Sequence, residues 1–184
     1  MSEVLTITDL DQQPSARFAA AVYGPGTTDR MALIKFAEKQ RAKGTRVGGV
    51  LQEAIIDRDG VITGLDAVDV VSGRRIPISR PPSNPGECGL DVSALADTAG
   101  LIRNAIDQAV DLVVVEKFGE LEQEGKGLID EILQAIAEDI PLIISVSSAA
   151  LPLWQERSGE LGSVLAFDED VFEEWWRRVS LPRD

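Results

Sequence analysis

Three segments of this chain carry residue types and spacings that can do chemistry. The first is Gly24-Pro25-Gly26-Thr27-Thr28-Asp29, a glycine-rich turn between an apolar run and a helical pattern. Backbone N–H groups, two hydroxyls and the positive end of a following helix make a seat for an anion. The same residues also read as a plain strand-to-helix turn, with Thr27 or Thr28 as the cap and Asp29 in the first helical turn. The full phosphate-loop pattern G-x-x-x-x-G-K-[ST] is not met, because the turn is shorter and has no Lys.

The second segment is Asp111-Leu-Val-Val-Val-Glu116-Lys117-Phe118-Gly119-Glu120-Leu121-Glu122. An apolar strand ending in an acid can hold Mg²⁺ beside a nucleotide, so Glu116 is the candidate metal ligand, for Mg²⁺ only when a nucleotide binds. Lys117 beside it is a candidate cation for the same ligand, and the two are the candidate catalytic residues. A polar strand terminus in solvent is the bland alternative. The third segment holds Arg74, Arg75 and Arg80, whose planar forks suit oxyanions. Cys88 lies in the Pro/Gly-rich loop that follows, and a lone Cys without His reads as a packed residue or a ligand-loop residue rather than a nucleophile.

Composition narrows the chemistry. The 184 residues include 31 Asp and Glu, 18 Lys and Arg and no His, for a net charge of −13. A charge of that sign argues against nucleic acid and anionic membrane surfaces as broad partners. Without His, a Ser–His–Asp triad and a His-based metal site are both excluded. One Cys excludes an intrachain disulfide. Residues 1–13 have no basic start followed by an apolar stretch, no apolar run reaches a membrane span, and the single Cys fits a reducing compartment. The reading is a cytoplasmic, acidic protein with no membrane insertion.

These candidates need elements to hold them. Arg17–Gly24, Arg46–Gln52, Asp111–Val115, Pro141–Val146 and Ser163–Phe167 read as strands, three of them as continuous apolar runs of the kind buried on both faces of a parallel sheet. Helical stripes run from Thr27 or Thr28 to about Lys43, from Asp91 or Ser93 to about Ala109, over Leu128–Ala137, over Leu151–Arg157 and over Glu169–Val179. Leu65–Val71 and Arg74–Ser79 flank Ser72-Gly73 and predict a hairpin, whereas Glu53–Thr63 reads as polar chain. The expected architecture is a three-layer α/β domain, mostly parallel, with an inserted β-hairpin. Its boundaries are expected at 17–180, after a flexible tail over 1–16, with the insertion at about 53–89. Trp175 and Trp176 sit on the last helix at a spacing that docks it on the sheet, or that offers a surface to a second copy or a protein partner. The acidic runs Glu120–Glu124 and Asp168–Glu174 read as solvated faces.

The order of motifs adds a resemblance. R-V-G-G-V-L-Q is followed by D-V-V-S-G-R-R-I-P-I-S, then by C-x-L-D before a helix. D-L-V-V-V-E-K-F-G-E-L-E-x-E-G-x-G-L and P-L-I-I-S-V come next. Over Arg17 to Trp176 this resembles an uncharacterised bacterial family, domain-of-unknown-function family 2478, whose genes often lie beside molybdate ABC transporters. K-F-G-x-L-E-x-E-G-x-G-L is its most specific part. More distantly the chain is similar to small P-loop nucleoside triphosphatases, whose later strand ends D-E-x-G-x-x-E, with the Asp on Mg²⁺ and the Glu polarising water. By position, Glu116 falls on that Asp and Lys117 on that Glu, while Gly119 and Glu122 match. The resemblance implies a P-loop NTPase-like frame that binds a nucleotide or an oxyanion such as molybdate, without efficient catalysis. A slow nucleoside triphosphatase and a protein-interaction module on an old frame are the two alternatives.

Overall fold

A computed structural model describes residues 16–79, 89 and 91–181. Arg80 and Cys88 lie outside the described residues, as do residues 1–15.

Seven strands form one sheet: β1 (Phe18–Tyr23), β2 (Val47–Ile56), β3 (Ile62–Asp69), β4 (Arg75–Ser79), β5 (Leu112–Val115), β6 (Leu142–Ser147) and β7 (Ser163–Ala166). Their order across the sheet is β4-β3-β2-β5-β6-β1-β7. The five strands from β2 to β7 in that order pair parallel, and β2, β3 and β4 pair antiparallel. The helices are α1 (Ala32–Ala42), α2 (Val92–Asp107), α3 (Glu120–Gln123), α4 (Ile129–Ala137), α5 (Leu151–Ser158) and α6 (Glu169–Val179). One face of the sheet packs α1 and α6, with Leu33, Phe36, Phe172 and Trp175 over Ala19, Ala21, Val114 and Ile143. The other face packs α2, α4 and α5, with Ile102, Ile132 and Trp154 over Ala20, Val113, Val115 and Ile144. The expected three-layer, mostly parallel α/β class is therefore what forms, because the apolar runs have no polar face to turn towards water.

The antiparallel part is larger than the sequence suggested. The Leu65–Val71/Arg74–Ser79 hairpin is present as β3 and β4, but Glu53–Ile56 continues β2 and Ile62–Thr63 begins β3. Asp57 and Gly60 turn between them, with Asp57 Oδ1 accepting from the N–H groups of Asp59 and Val61. These residues were hidden because their positions are half-buried or exposed and need no apolar alternation. Gly49 makes the join with the parallel part: a Cβ on it would lie 2.0 Å from the Val114 carbonyl oxygen, at a φ of +117°. Only glycine lets β2 lie this close to β5.

The start of α1 is the other correction. Neither Thr27 nor Thr28 caps it; the helix begins at Ala32, after Met31. Thr27 instead folds back, its Oγ1 accepting from the Gly24 N–H at 2.9 Å while its own N–H donates to the Gly24 carbonyl at 3.0 Å. Asp91 does cap α2, accepting from Ser93 and Ala94. Among the described residues no helix is long and apolar enough to cross a membrane.

Candidate functional site

β1 and β6 are neighbours, yet their following segments leave to opposite faces, β1 into α1 and β6 into α5. Such a reversal opens a crevice at the carboxyl ends of the strands, the usual ligand position of an open α/β sheet. Gly24 stands on one side of it and Ser148 on the other. A Cβ on Gly24 would lie 3.2 Å from the Ser148 Oγ, and the Ser148 N–H donates to the Tyr23 carbonyl at 2.8 Å.

The turn from Gly24 to Met31 satisfies much of itself. The Gly24 and Thr27 N–H groups are engaged as above, Pro25 has none, and the Met31 N–H donates to Asp29 Oδ1 at 3.0 Å. Asp29 Oδ2 also takes Lys35 Nζ at 2.6 Å. The Lys35 ammonium and the Met31 N–H hold the Asp29 carboxyl below its ordinary range, so its charge is offset locally. The N–H groups of Gly26, Thr28, Asp29 and Arg30 are left as the backbone donors of this turn. Arg30 is a site residue that the sequence reading missed. Its guanidinium stacks 3.8 Å from the centroid of the Tyr23 ring, which parks a cation at the end of β1. Its only sequence signal was a cation one residue beyond the turn.

Glu116 follows β5 at the same end. The parallel register pairs Val115 with Ile144, so Glu116 comes level with Ser145 of β6. Its alternation with Leu112 and Val114 turns it to the α1 face. Its N–H donates to the Val50 carbonyl, and its Oε2 accepts from the Gln52 N–H at 3.1 Å. Burial pushes its carboxyl above the ordinary value of 4.5, against the Gln52 N–H and the fields of Arg30 and Lys117, while Glu53 adds to the rise. Lys117 is exposed. Among the described residues no group of three Asp, Glu or Cys side chains surrounds Glu116, one of its oxygens accepts from the Gln52 amide, and the Thr27 hydroxyl takes the Gly24 N–H.

The arginines divide. Arg75 pairs with Glu53 on β2 and lies 3.8 Å from Asp66 Oδ2 on β3. Glu53 links it to the surroundings of Glu116. Arg74 belongs to the β3–β4 turn, where Val71 takes Arg41 from the last turn of α1, and so it lies towards the opposite end of the sheet from Gly24.

Glu122 is not part of a solvated acidic face, as the sequence suggested. It is buried, and its two oxygens accept from the N–H groups of Gly119 and Leu128 at 3.0 and 2.9 Å. Gly127, at φ +62°, passes so close that a Cβ would lie 2.2 Å from Glu122 Oε1. The K-F-G-x-L-E-x-E-G-x-G-L segment is thus a brace: Phe118 stacks edge-on against Trp154 at 5.4 Å, and Glu122 ties the loop shut. The tryptophan pair is also split. Trp175 is 1% exposed, with its Nε1 donating to the Ala16 carbonyl, so it docks α6 on the sheet and offers no surface to a partner. Trp176 lines a cavity of about 500 Å³ at the amino ends of the strands, with Arg17, Lys43, Asp111 and Asp139.

The comparisons with known proteins fit this layout. The chain is 38% identical over 165 residues to the molybdenum import ATP-binding protein ModC 2 of Bradyrhizobium diazoefficiens, a stretch that covers 89% of this chain and 18% of that protein. The chain thus spans less than a fifth of the length of the curated relative it matches. The fold class, a P-loop NTPase-like α/β sheet with an added antiparallel ribbon, agrees with that likeness. A family match runs over residues 18–175, from the first residue of β1 to the buried Trp175 of α6, and by it the chain belongs to the family described as protein of unknown function (DUF2478).

Proposed function

We propose that this domain binds an anionic small ligand, a nucleotide or a tetrahedral oxyanion, in the crevice between β1 and β6 and does not hydrolyse it efficiently. One observation carries the reading. At the reversal of the strand order, the carboxyl ends of β1 and β5 bring the Gly24–Thr28 turn, Arg30 and Glu116 to the α1 side of the sheet, with Lys117 next in the chain to Glu116. Arg30 and Lys117 supply the positive charge that the turn lacks. The printed name of the Bradyrhizobium relative, molybdenum import and ATP binding, supports a nucleotide or molybdate as the ligand to try first.

Weak catalysis follows from the same groups. Lys117 stands where the triphosphatases this chain resembles carry the water-polarising Glu. Glu116 accepts from the Gln52 N–H and is half-buried. A thermal-shift panel of ATP and GTP, with and without Mg²⁺, and of molybdate, tungstate, sulfate and phosphate tests the reading. A ligand at a hundredfold excess over Kd stabilises by about 2.7 kcal/mol. The expected result is a rise in Tm with at least one of them that is reduced in Lys117→Ala and Arg30→Ala. No rise with any of them overturns it. A slow triphosphatase would show Mg²⁺-dependent phosphate release that Glu116→Ala abolishes.

One observation favours the interaction-module alternative. Ile56, Val61 and Ile62, at 60%, 57% and 68% exposure, crowd the tip of the β2–β3 ribbon. An apolar tip of this kind suits contact with another protein surface. An Ile56→Ser, Ile62→Ser variant with unchanged hydrodynamic and pull-down behaviour would remove that support.

A further inference from the structure

At the amino ends of the strands, opposite the crevice, two cavities meet at Arg17, the residue before β1. One is the space of about 500 Å³ beside Trp176. The other holds about 300 Å³. Arg17, Asp139 and Ile140 line both. Volumes of this order take small organic molecules. The smaller cavity adds Phe18 and Ile136, with Leu161 at 75% exposure. It is apolar on those sides and charged where it adjoins its neighbour.

Arg17 is poorly satisfied there. Its side chain is 24% exposed, and its buried Nε has no hydrogen-bond partner. Asp139 Oδ2 stands 3.7 Å from that Nε, near enough for an ion pair and too far for a hydrogen bond. Other charges around the larger cavity are engaged. Lys43 Nζ meets Glu173 at 2.8 Å, and Asp111 accepts from the backbone N–H and the guanidinium of Arg46. Among the described residues that line the two cavities, Arg17 is thus the cation short of a hydrogen-bond acceptor. A guanidinium in that condition matches the two oxygens of a carboxylate.

We infer a second ligand site here, for a small organic acid, with its carboxylate on Arg17 and its apolar body against Phe18, Ile136 and Leu161. The site is separate from the crevice at the carboxyl ends and does not depend on it. A single cation suits a singly charged carboxylate better than a doubly charged phosphate. Asp139 competes with the ligand for Arg17.

Saturation-transfer NMR on the full chain tests the site. The probes are hexanoate and phenylacetate, with hexanamide and phenylacetamide as their uncharged counterparts. The acids are expected to bind, and the amides to bind more weakly. Arg17→Gln is expected to weaken the acids about tenfold, the worth of a charge-assisted pair, and to leave the amides as they were. Asp139→Asn removes the competing acid and is expected to tighten the acids about twofold. Asn tolerates the φ of +59° at that position, so this variant keeps the fold. An unchanged acid affinity in Arg17→Gln, or amides that bind as well as the acids, overturns the inference. An Arg17 that only offsets the end of α4 predicts that unchanged affinity together with a lower Tm. Should Arg17→Gln misfold, Asp139→Asn decides, and acid binding that is unchanged or weaker there overturns the site. No saturation transfer to either acid from wild type overturns it as well. Acids weakened by Arg30→Ala and Lys117→Ala but not by Arg17→Gln lie in the crevice, which overturns the second site and leaves the proposed function standing.

Discussion

Two glycine-bearing turns stand at the carboxyl end of the sheet, and they are built for different purposes. In the turn after β5, glycine is forced. Gly127 lies in the left-handed region, and a Cβ on it would run into the buried Glu122 carboxylate, which closes the loop through two backbone donors. In the turn after β1, glycine is not forced by the chain. Gly26 would place a Cβ in open space, and Gly24 would meet only the end of the Ser148 side chain at 3.2 Å. The more distinctive motif of the two is therefore architecture, and the less distinctive one borders the crevice where a ligand would lie. A long specific pattern marks a place where many atoms must fit one another, which is as true of a brace as of a site.

Substitutions can break or sharpen that contrast. The largest effect is expected at Glu122→Ala, which leaves two N–H groups unpaired in a buried loop. A loss of about 3 kcal/mol follows from charge-assisted hydrogen bonds, or a fall in Tm of about 6–12 °C for a domain of this size. A change under 1 °C in calorimetry would mean that the loop closes without it. Gly127→Ala comes next, at about 1–3 kcal/mol for a side chain forced into the left-handed region, read by urea unfolding. Glu116→Gln reports on the crevice through pH. The folded carboxyl titrates above its ordinary 4.5, so the folded state holds the proton more tightly than the unfolded state, and ionisation at higher pH lowers stability. The variant should melt above wild type at pH 7–8, and the gap should close as pH falls towards 4.5. A gap that widens on acidification would reverse the sign argued here. The smallest effect belongs to Gly26→Ala, within about 0.5 kcal/mol by the same unfolding assay. A large loss there would show that the β1 turn is as constrained as its neighbour.

Much of the frame was legible in the residues. The buried strands announce themselves as unbroken apolar runs, and α6 over Glu169–Val179 and the Asp91 cap of α2 follow from periodicity and cap chemistry. What stayed hidden has physical causes. The outer half of β2 carries Gln52 and Glu53 because its positions are half-buried to exposed and tolerate polar side chains. Glu122 read as surface because an acid in an acidic run looks solvated until two amides are found around it. Of the candidate site, the sequence marked the β1 turn, Glu116 and Lys117. It missed Arg30, whose place depends on Tyr23 beneath it.

The sequence by itself determined the α/β class, the buried strands and most helices, because hydrophobic period and turn chemistry are local properties of the chain. Within these 184 residues it also ruled out histidine chemistry and an intrachain disulfide. Only the tertiary structure decided the order β4-β3-β2-β5-β6-β1-β7, and with it which loops meet. Gly24 touches Ser148 across 124 positions of sequence, Glu116 comes level with Ser145, and Arg74 ends far from both, since parallel pairing joins residues whose proximity no local pattern encodes.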